Sequence, residues 1–271
     1  MRPHGAPDGE PVREPFVDRA YRSAFQAPDL AFFRLKVEQT DLFIGIGELS
    51  HDGPPSEKQL RLARTLASTA VAACRELLEA HIRVRPAFLS SLEPLGEPGA
   101  LPGLLAGMYR AASAAGVGPM AAVAGAVAEQ VGRALNGHFS EVLVENGGDL
   151  WMTGTRGRVA GLFCGNSPLN GKLGLVLPAG GFPLGLCTSS GTIGHSLSFG
   201  RADAATVKAG DAYLADAVAT ALGNRVKTAE DIADALAWAS GVPGVTGLLV
   251  VMGDRMGAWG DMELTLLTDK E

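Results

Sequence analysis

Two hydrophobic periodicities alternate along the first half of the chain. Residues 33–38 and 41–46 alternate apolar and polar positions across a short polar break, which predicts a β-hairpin. From residue 56 to about 83 the apolar positions recur at helical spacing, with Arg and Glu opposite, and predict one long amphipathic helix. Prolines and glycines between residues 86 and 102 exclude long regular structure there. Helices are predicted over residues 101–115 and 118–135, and Pro119 suits a first helical turn.

The second half consists of short apolar runs interrupted by glycine. These predict strands over residues 141–144, 149–152, 159–163, 173–177, 184–187 and 203–209, helices over 212–222 and 228–240, and closing strands over 245–252 and 262–267. Such mixing is typical of an α+β or layered α/β fold. Residues 1–15 hold four prolines without hydrophobic periodicity, so we expect a flexible arm followed by one domain over residues 16–271.

Composition and charge narrow the classes of partner. Hydrophobic residues make up 46% of the 271 and charged residues 19%, as in folded globular proteins. A net charge of -6 argues against a nucleic-acid duplex as partner. No apolar run reaches the ~20 residues that cross a bilayer, and the polar N-terminus lacks the apolar stretch of a signal peptide. We therefore expect a cytoplasmic protein without a membrane partner, and leave a homo-oligomer open.

A glycine pair lies between two predicted strands, in Glu-Asn-Gly-Gly-Asp at residues 145–149. Adjacent glycines permit positive φ and expose main-chain N–H groups, which suits an anion or ligand loop. Asn-Gly is also the strongest short-range signal for a type I′ hairpin turn. Both interpretations apply to the same residues.

A second polar segment, residues 187–198, holds six hydroxyl side chains, two glycines and His195. Hydroxyls and glycine N–H groups bind phosphate or ribose without adding net charge. His195 suits hydrogen bonding to a ligand, acid–base chemistry or metal ligation. The alternative is a solvated Ser/Thr-rich loop with an incidental histidine.

An acidic residue interrupts the apolar helix predicted over residues 212–222. Asp211 suits its N-cap, and Asp216 and Thr220 share one face because they are four residues apart. Burying a lone carboxylate is costly, so Asp216 needs either main-chain N–H donors or a cation. Carboxylate and hydroxyl oxygens are ligands that Mg²⁺ accepts.

Four segments together resemble the ApbE-like superfamily: Gly-Pro-Met-Ala-Ala-Val-Ala-Gly at residues 118–125, Val-Glu-Asn-Gly-Gly-Asp at 144–149, Thr-Ser-Ser-Gly at 188–191 and Ala-Asp-Ala-Val-Ala-Thr-Ala at 215–221. The resemblance spans about residues 33–252. It implies a layered fold with a mixed sheet and flanking helices. The best-known members are flavin transferases that cleave FAD and attach FMN to a protein threonine with Mg²⁺.

The resemblance also assigns site residues. It implies a cleft for FAD, FMN or a related nucleotide, with Asp216 and Thr220 as Mg²⁺ ligands and His195 as the candidate catalytic residue. The implied cofactor-binding residues are Met120, Asn146, Gly147, Gly148, Asp149, Thr188, Ser189, Ser190, Gly191 and Thr192.

Two departures from the transferase pattern leave enzymatic activity open. Transferases carry Lys-Gly where this chain has Ala124-Gly125, and a His-Ile-Ile-Asp-Pro-like segment where it has residues 194–200. Both weigh against FAD cleavage. The branch that carries the 144–149 and 188–200 patterns is associated with sulfide assimilation and homocysteine formation, which implies a protein partner in sulfur metabolism. An accessory role in sulfur transfer is therefore the alternative, with Cys187 as its candidate thiol.

Overall fold

The structure, a computed structural model, describes residue 22 and residues 27–48, 55–191 and 200–267. Its strands are β1 Ala31–Val37, β2 Thr40–Gly47, β3 Glu141–Asn146, β4 Asp149–Thr153, β5 Arg158–Gly161, β6 Leu173–Leu177, β7 Leu184–Ser189, β8 Ala204–Ala209, β9 Val245–Met252, β10 Arg255–Gly260 and β11 Leu264–Leu266. Its helices are α1 Glu57–Val84, α2 Ala87–Ser90, α3 Gly103–Ala115, α4 Val123–Asn136, α5 Ala212–Arg225 and α6 Ile232–Ser240.

Two sheets are formed by these strands. Eight strands pair in the order β1-β2-β3-β4-β7-β8-β9-β10, and β11-β6-β5 form a smaller sheet. The predicted layered α/β fold with flanking helices is thereby confirmed. One detail of that prediction, the mixed sheet, is wrong for the described strands, because all their pairings are antiparallel. Neighbours along the large sheet follow chain order. Short turns join β1 to β2, β3 to β4 and β9 to β10, whereas helices connect β2 to β3 and β8 to β9.

Side-chain alternation on the large sheet creates two apolar layers. On β3, Val142 and Val144 pack against the helices, whereas Leu143 faces the smaller sheet. On β9, Leu248 and Leu249 divide in the same way. Successive strand residues point to opposite faces, so one strand supplies both layers. The large sheet therefore lies between the helices and the three-stranded sheet.

Several local predictions agree with the structure and others differ. The long helix predicted from residue 56 is α1, which follows a capping box at Ser56, and the predicted N-cap Asp211 accepts from the Leu214 N–H at the start of α5. The helix predicted from residue 118 instead opens with a 3-10 turn over Pro119–Ala122. The predicted loop after residue 86 contains the short α2. Strand β10 was not predicted, because its two glycines and mostly exposed residues hide the apolar alternation.

The lengths of the described helices bear on membrane crossing, and the placement of the cysteines bears on their chemistry. No single described helix has the length and apolar character to cross a membrane, although α3 with the following helical segment through residue 136, bent by 107°, meets those criteria as a pair. All three cysteines are buried free thiols. The predicted arm over residues 1–15 lies outside the described residues.

Candidate functional site

The glycine pair forms the turn between β3 and β4. Asn146 pairs with Asp149 in the strand register, and Gly147 and Gly148 take φ angles of 74° and 107°. The type of turn expected from Asn-Gly needs positive φ at both central positions, which glycine adopts without strain. A Cβ on Gly148 would lie 3.4 Å from the Thr188 carbonyl oxygen. The turn therefore contacts the end of β7.

A buried ion pair holds this turn from below. Glu145 accepts the Gly148 N–H through Oε1 at 2.9 Å and the Arg22 Nε–H through Oε2 at 2.6 Å. Arg22 also donates to the Asp41 carboxylate at 3.0 Å. Both acids and the arginine are buried. A residue ahead of β1 thus fixes the conformation of the glycine turn through Glu145.

The start of α4 contacts both the turn and α5. Asn146 Nδ2 donates to the Ala124 carbonyl at 3.1 Å, and the Gly125 N–H donates to Asp216 Oδ2 at 2.8 Å. A Cβ on Gly125 would lie 2.2 Å from the Ala212 carbonyl oxygen. Only glycine permits this approach. The small-residue start of α4 therefore contacts both the 144–149 segment and the 215–221 segment.

Two buried acids and a thiol face the helices beneath this contact. Asp149 pairs directly with Cys187 across β4 and β7. Burial raises the pKa of Asp149, and the neighbouring Asp216 carboxylate raises it further. Burial also raises the pKa of Asp216 to about 7, against main-chain hydrogen bonds from Gly125 and Ala124 that lower it. Neither acid forms an ion pair with a Lys or Arg in the described part of the chain.

The same burial governs Cys187. Burial raises the pKa of the Cys187 thiol well above its usual range, and the Asp149 and Asp216 carboxylates raise it further. Its sulfur lies 3.7 Å from the Ala212 carbonyl oxygen. A thiol in such surroundings stays protonated and is a poor nucleophile.

Strand alternation separates the predicted residues 188–191. Cys187 belongs to the layer beneath the helices, and the Ser189 hydroxyl lies 3.4 Å from where a Cβ on Gly223 of α5 would be. The Thr188 hydroxyl instead bonds to the Thr206 hydroxyl at 2.9 Å. Gly191 is exposed and its N–H donates to the Ala202 carbonyl. The main chain of Thr188 therefore lies near the turn, the Ser189 hydroxyl lies beside α5, and the Thr188 hydroxyl is held on β8.

The predicted metal ligands lie on one face of α5. Asp216 is buried and Thr220, one turn later, is half-buried. The structure supplies main-chain N–H donors to Asp216, which was one of the two compensations expected from the sequence. Across residues 27–48, 55–191 and 200–267 no three His, Cys, Asp or Glu side chains cluster to share a metal ion. Any Mg²⁺ here would need hydroxyl, carbonyl or ligand oxygens beside Asp216.

Three further predicted residues have different outcomes. Met120 is half-buried in the 3-10 turn that precedes α4 and packs on the core. Thr192 and His195 lie outside the described residues. Sequence reasoning did not find Arg22, because no hydrophobic periodicity was recognised around it. It also gave no sign that Asp149 and Cys187 are paired, since the register of β4 and β7 joins residues far apart in the chain.

Comparison with known proteins identifies the family of this chain. A family model described as AbpE bacteria matches residues 22–242. A UPF0280 protein of Methanocella arvoryzae is 44% identical over 184 residues, 68% of this chain and 75% of the relative. One of Methanoculleus marisnigri is 44% identical over 201 residues, 72% of this chain and 79% of the relative.

Two solved structures are similar in architecture at low identity. The flavin transferase ApbE from Vibrio cholerae is 12% identical, covering 85% of this chain and 96% of its own, with a TM-score of 0.46. The ApbE protein from Thermotoga maritima is 14% identical, covering 84% and 96%, with a TM-score of 0.46. From the family model and the UPF0280 relatives, the chain belongs to the AbpE bacteria family.

Proposed function

We propose that this chain binds a flavin nucleotide or a related nucleotide where the β3–β4 turn, the end of β7 and the start of α4 meet. The observation that carries the proposal is the pair of contacts from α4. The Ala124 carbonyl accepts a hydrogen bond from the Asn146 amide, and the Gly125 N–H donates to the Asp216 carboxylate. Polar groups from three separate motifs therefore converge on one face of the sheet.

Each part of this site has a distinct task in binding. Gly147 and Gly148 lack side chains, so a phosphate or a flat ring can approach the turn closely. The start of α4 holds the Asn146 and Asp216 side chains in place, because the Ala124 carbonyl accepts from Asn146 and the Gly125 N–H donates to Asp216. The Ser189 hydroxyl supplies a donor or acceptor without charge. Arg22 and Glu145 keep the turn in place and do not touch the ligand.

A Mg²⁺ ion fits the oxygen ligands that α5 offers. Asp216 keeps one carboxylate oxygen beyond the Oδ2 that bonds to Gly125, and Thr220 adds a hydroxyl one turn away. Buried carboxylates without a cationic partner are costly, so a divalent cation at Asp216 would offset that cost. When bound, Mg²⁺ would offset the charge of a diphosphate. Asp216 and Thr220 would hold it, with the nucleotide as a further ligand.

Flavin binding and flavin transfer separate in one experiment. The purified chain is titrated with FAD in Mg²⁺ or EDTA while flavin fluorescence is followed, and the products are then analysed for AMP and FMN by mass spectrometry. Saturable binding that is tighter in Mg²⁺ supports the proposal, and AMP with FMN would add cleavage to it. FAD that fails to saturate below about 1 mM in either condition overturns it.

A matched pair of variants places the ligand. Thr220→Val keeps the shape but removes the hydroxyl, so Mg²⁺-dependent FAD affinity falls about tenfold, the equivalent of one charge-assisted hydrogen bond. Thr65→Val removes a hydroxyl from the exposed face of α1 and leaves affinity unchanged. Equal affinities in both variants contradict the assignment of Thr220. The alternative role in sulfur transfer gains no support from Cys187, because its thiol is buried and its pKa is raised.

A further inference from the structure

A second cleft opens between α3, α4 and the first turn of α5. Its volume is about 400 Å³, within the range of small-molecule sites. It lies away from the proposed nucleotide site: along α4, Arg133 follows Gly125 by eight residues, or ~12 Å of helix rise. The residues lining the cleft are Gly103, Gly107, Arg110, Ala111, Ala114, Glu129, Gln130, Arg133, Asp211, Tyr213 and Leu214.

Small residues on α3 create this space. Gly103, Gly107, Ala111 and Ala114 recur every three to four positions and so share one face of the helix. At Gly107 the ring of Tyr213 fills the space that a side chain would take. A Cβ on Gly107 would lie 2.7 Å from a ring carbon. Around the other positions the space stays open and is bordered by charged and polar side chains.

The acidic groups in the cleft already have donors. Glu129 is buried and accepts from Arg133 at 2.8 Å and from the Ala212 N–H at 2.7 Å. Asp211 accepts the Leu214 N–H as the N-cap of α5. The guanidinium groups of Arg110 and Arg133 use fewer of their hydrogen-bond donors than these acids use of their acceptors. Arg133 is 57% exposed, and Arg110 is exposed and makes no hydrogen bond or ion pair with any residue that the structure describes.

A neutral donor stands beside these arginines. Gln130 Nε2 donates to the Tyr213 hydroxyl oxygen at 2.6 Å, which leaves the phenolic proton free to donate in turn. Burial raises the pKa of Tyr213 to about 12, so this proton is retained at neutral pH. The half-buried Gln130 also keeps its amide oxygen as an acceptor.

We propose that this cleft is a second binding site, for a small oxyanionic ligand that bears a carboxylate or a phosphate monoester. Arg110 and the outer face of Arg133 hold the anion, and Tyr213 donates to one of its oxygens. Arginine suits both anions because its planar donors match their oxygens. The site shares helices α4 and α5 with the proposed nucleotide site but none of its residues, so each stands without the other.

Calorimetric titration of the full chain tests the proposal. Inorganic phosphate and succinate are titrated separately at constant ionic strength set with potassium chloride, and the tighter probe identifies the class of anion. Saturable binding in the millimolar range or tighter is expected for at least one probe. Failure of both probes to saturate below about 10 mM overturns the proposal.

Variants separate the cleft from the proposed nucleotide site, where a phosphate probe would also be expected to bind. Arg110→Gln removes an unpaired side chain and therefore leaves the fold intact. Affinity for the bound probe should fall at least about fivefold, about 1 kcal/mol, while FAD binding stays unchanged. Tyr213→Phe should lower the affinity for the probe by a smaller factor. Arg61→Gln, on the exposed face of α1, is the matched control. An unchanged affinity in Arg110→Gln overturns the proposal.

Discussion

The main-chain N–H of Gly125 and the Asp216 carboxylate meet at 2.8 Å and join the first turn of α4 to the middle of α5. The contact depends on the absence of a side chain at residue 125. It satisfies part of the hydrogen-bonding capacity of a buried acid, and it positions the start of α4 beside Asn146. One glycine therefore serves helix packing and the geometry of the proposed site together.

Gly125→Ala should destabilise the protein strongly. The added methyl would lie 2.2 Å from the Ala212 carbonyl oxygen and 2.9 Å from Asp216 Cβ, so the two helices must separate. Overpacking of this kind costs about 3 kcal/mol in free energy of unfolding, measured by urea denaturation. Gly137→Ala is the control, because its φ of -68° is helical and no atom lies within 4 Å of the new methyl. A loss below about 1 kcal/mol for Gly125→Ala would contradict the tight contact.

The stability of the protein should fall as pH rises through the range in which Asp216 titrates. In the folded state its pKa is raised to about 7 from 3.8, so the folded chain binds more protons than the unfolded chain between these values. Stability is then greatest near pH 4 and declines towards pH 7, by at most about 4 kcal/mol for this group. Asp149 acts in the same direction, since its pKa is also raised.

Asp216→Asn isolates this contribution. Asparagine keeps an oxygen that accepts the Gly125 N–H but does not ionise, and it removes the charge that raises the pKa of Asp149. Urea midpoints measured from pH 4 to pH 8 should therefore vary less in the variant than in the wild type. Parallel curves for the two proteins would show that Asp216 is ionised in the fold throughout this range.

Local pattern predicted the elements that are continuous in sequence. Strand β9 occupies Val245–Met252 as predicted, because five apolar residues follow one another from Leu248 and the first four of them are buried. The smaller sheet was not predicted, since β11 pairs with β6 across roughly ninety residues of chain. Pairing between such distant segments is decided by packing rather than by local periodicity.

The candidate site divides in the same way. Composition and motif order led to the glycine turn and to Asp216, both of which lie at the contact with α4. The opposite facing of Thr188 and Ser189 follows from the extension of β7 to Ser189, past the predicted end at residue 187. Arg22 could not be predicted, because a buried arginine is recognised by its partners Asp41 and Glu145 and not by its neighbours in sequence.

Arg22→Gln should lower both stability and flavin affinity. It leaves the buried Glu145 without this cation, at a cost of about 3 kcal/mol in free energy of unfolding. The Gly148 N–H then loses a fixed acceptor, so the turn loosens and the affinity for FAD falls. Arg34→Gln is the matched control, because Arg34 also pairs with Asp41 but is 54% exposed, so its removal affects less buried charge. Equal effects of the two variants would exclude a specific role for the Arg22 contact with Glu145.

Cys187 should be inert towards thiol reagents in the folded protein. It is fully buried, and its pKa is raised by burial and by the carboxylates of Asp149 and Asp216. Alkylation requires the thiolate, so labelling depends on unfolding. Treatment with iodoacetamide at pH 7.5, followed by peptide mass spectrometry, should modify Cys187 only in urea.

An accessible thiol provides the internal reference for that experiment. Thr65→Cys places a cysteine on the exposed face of α1, where labelling should proceed without denaturant. Loading the folded Thr65→Cys protein with polysulfide should likewise form a persulfide at residue 65 and none at Cys187. A persulfide on Cys187 of the folded chain, formed as fast as at residue 65, would show that the Asp149 and Asp216 surroundings do not suppress its thiolate. The sulfur-transfer role would then replace nucleotide binding as the function to pursue at this site.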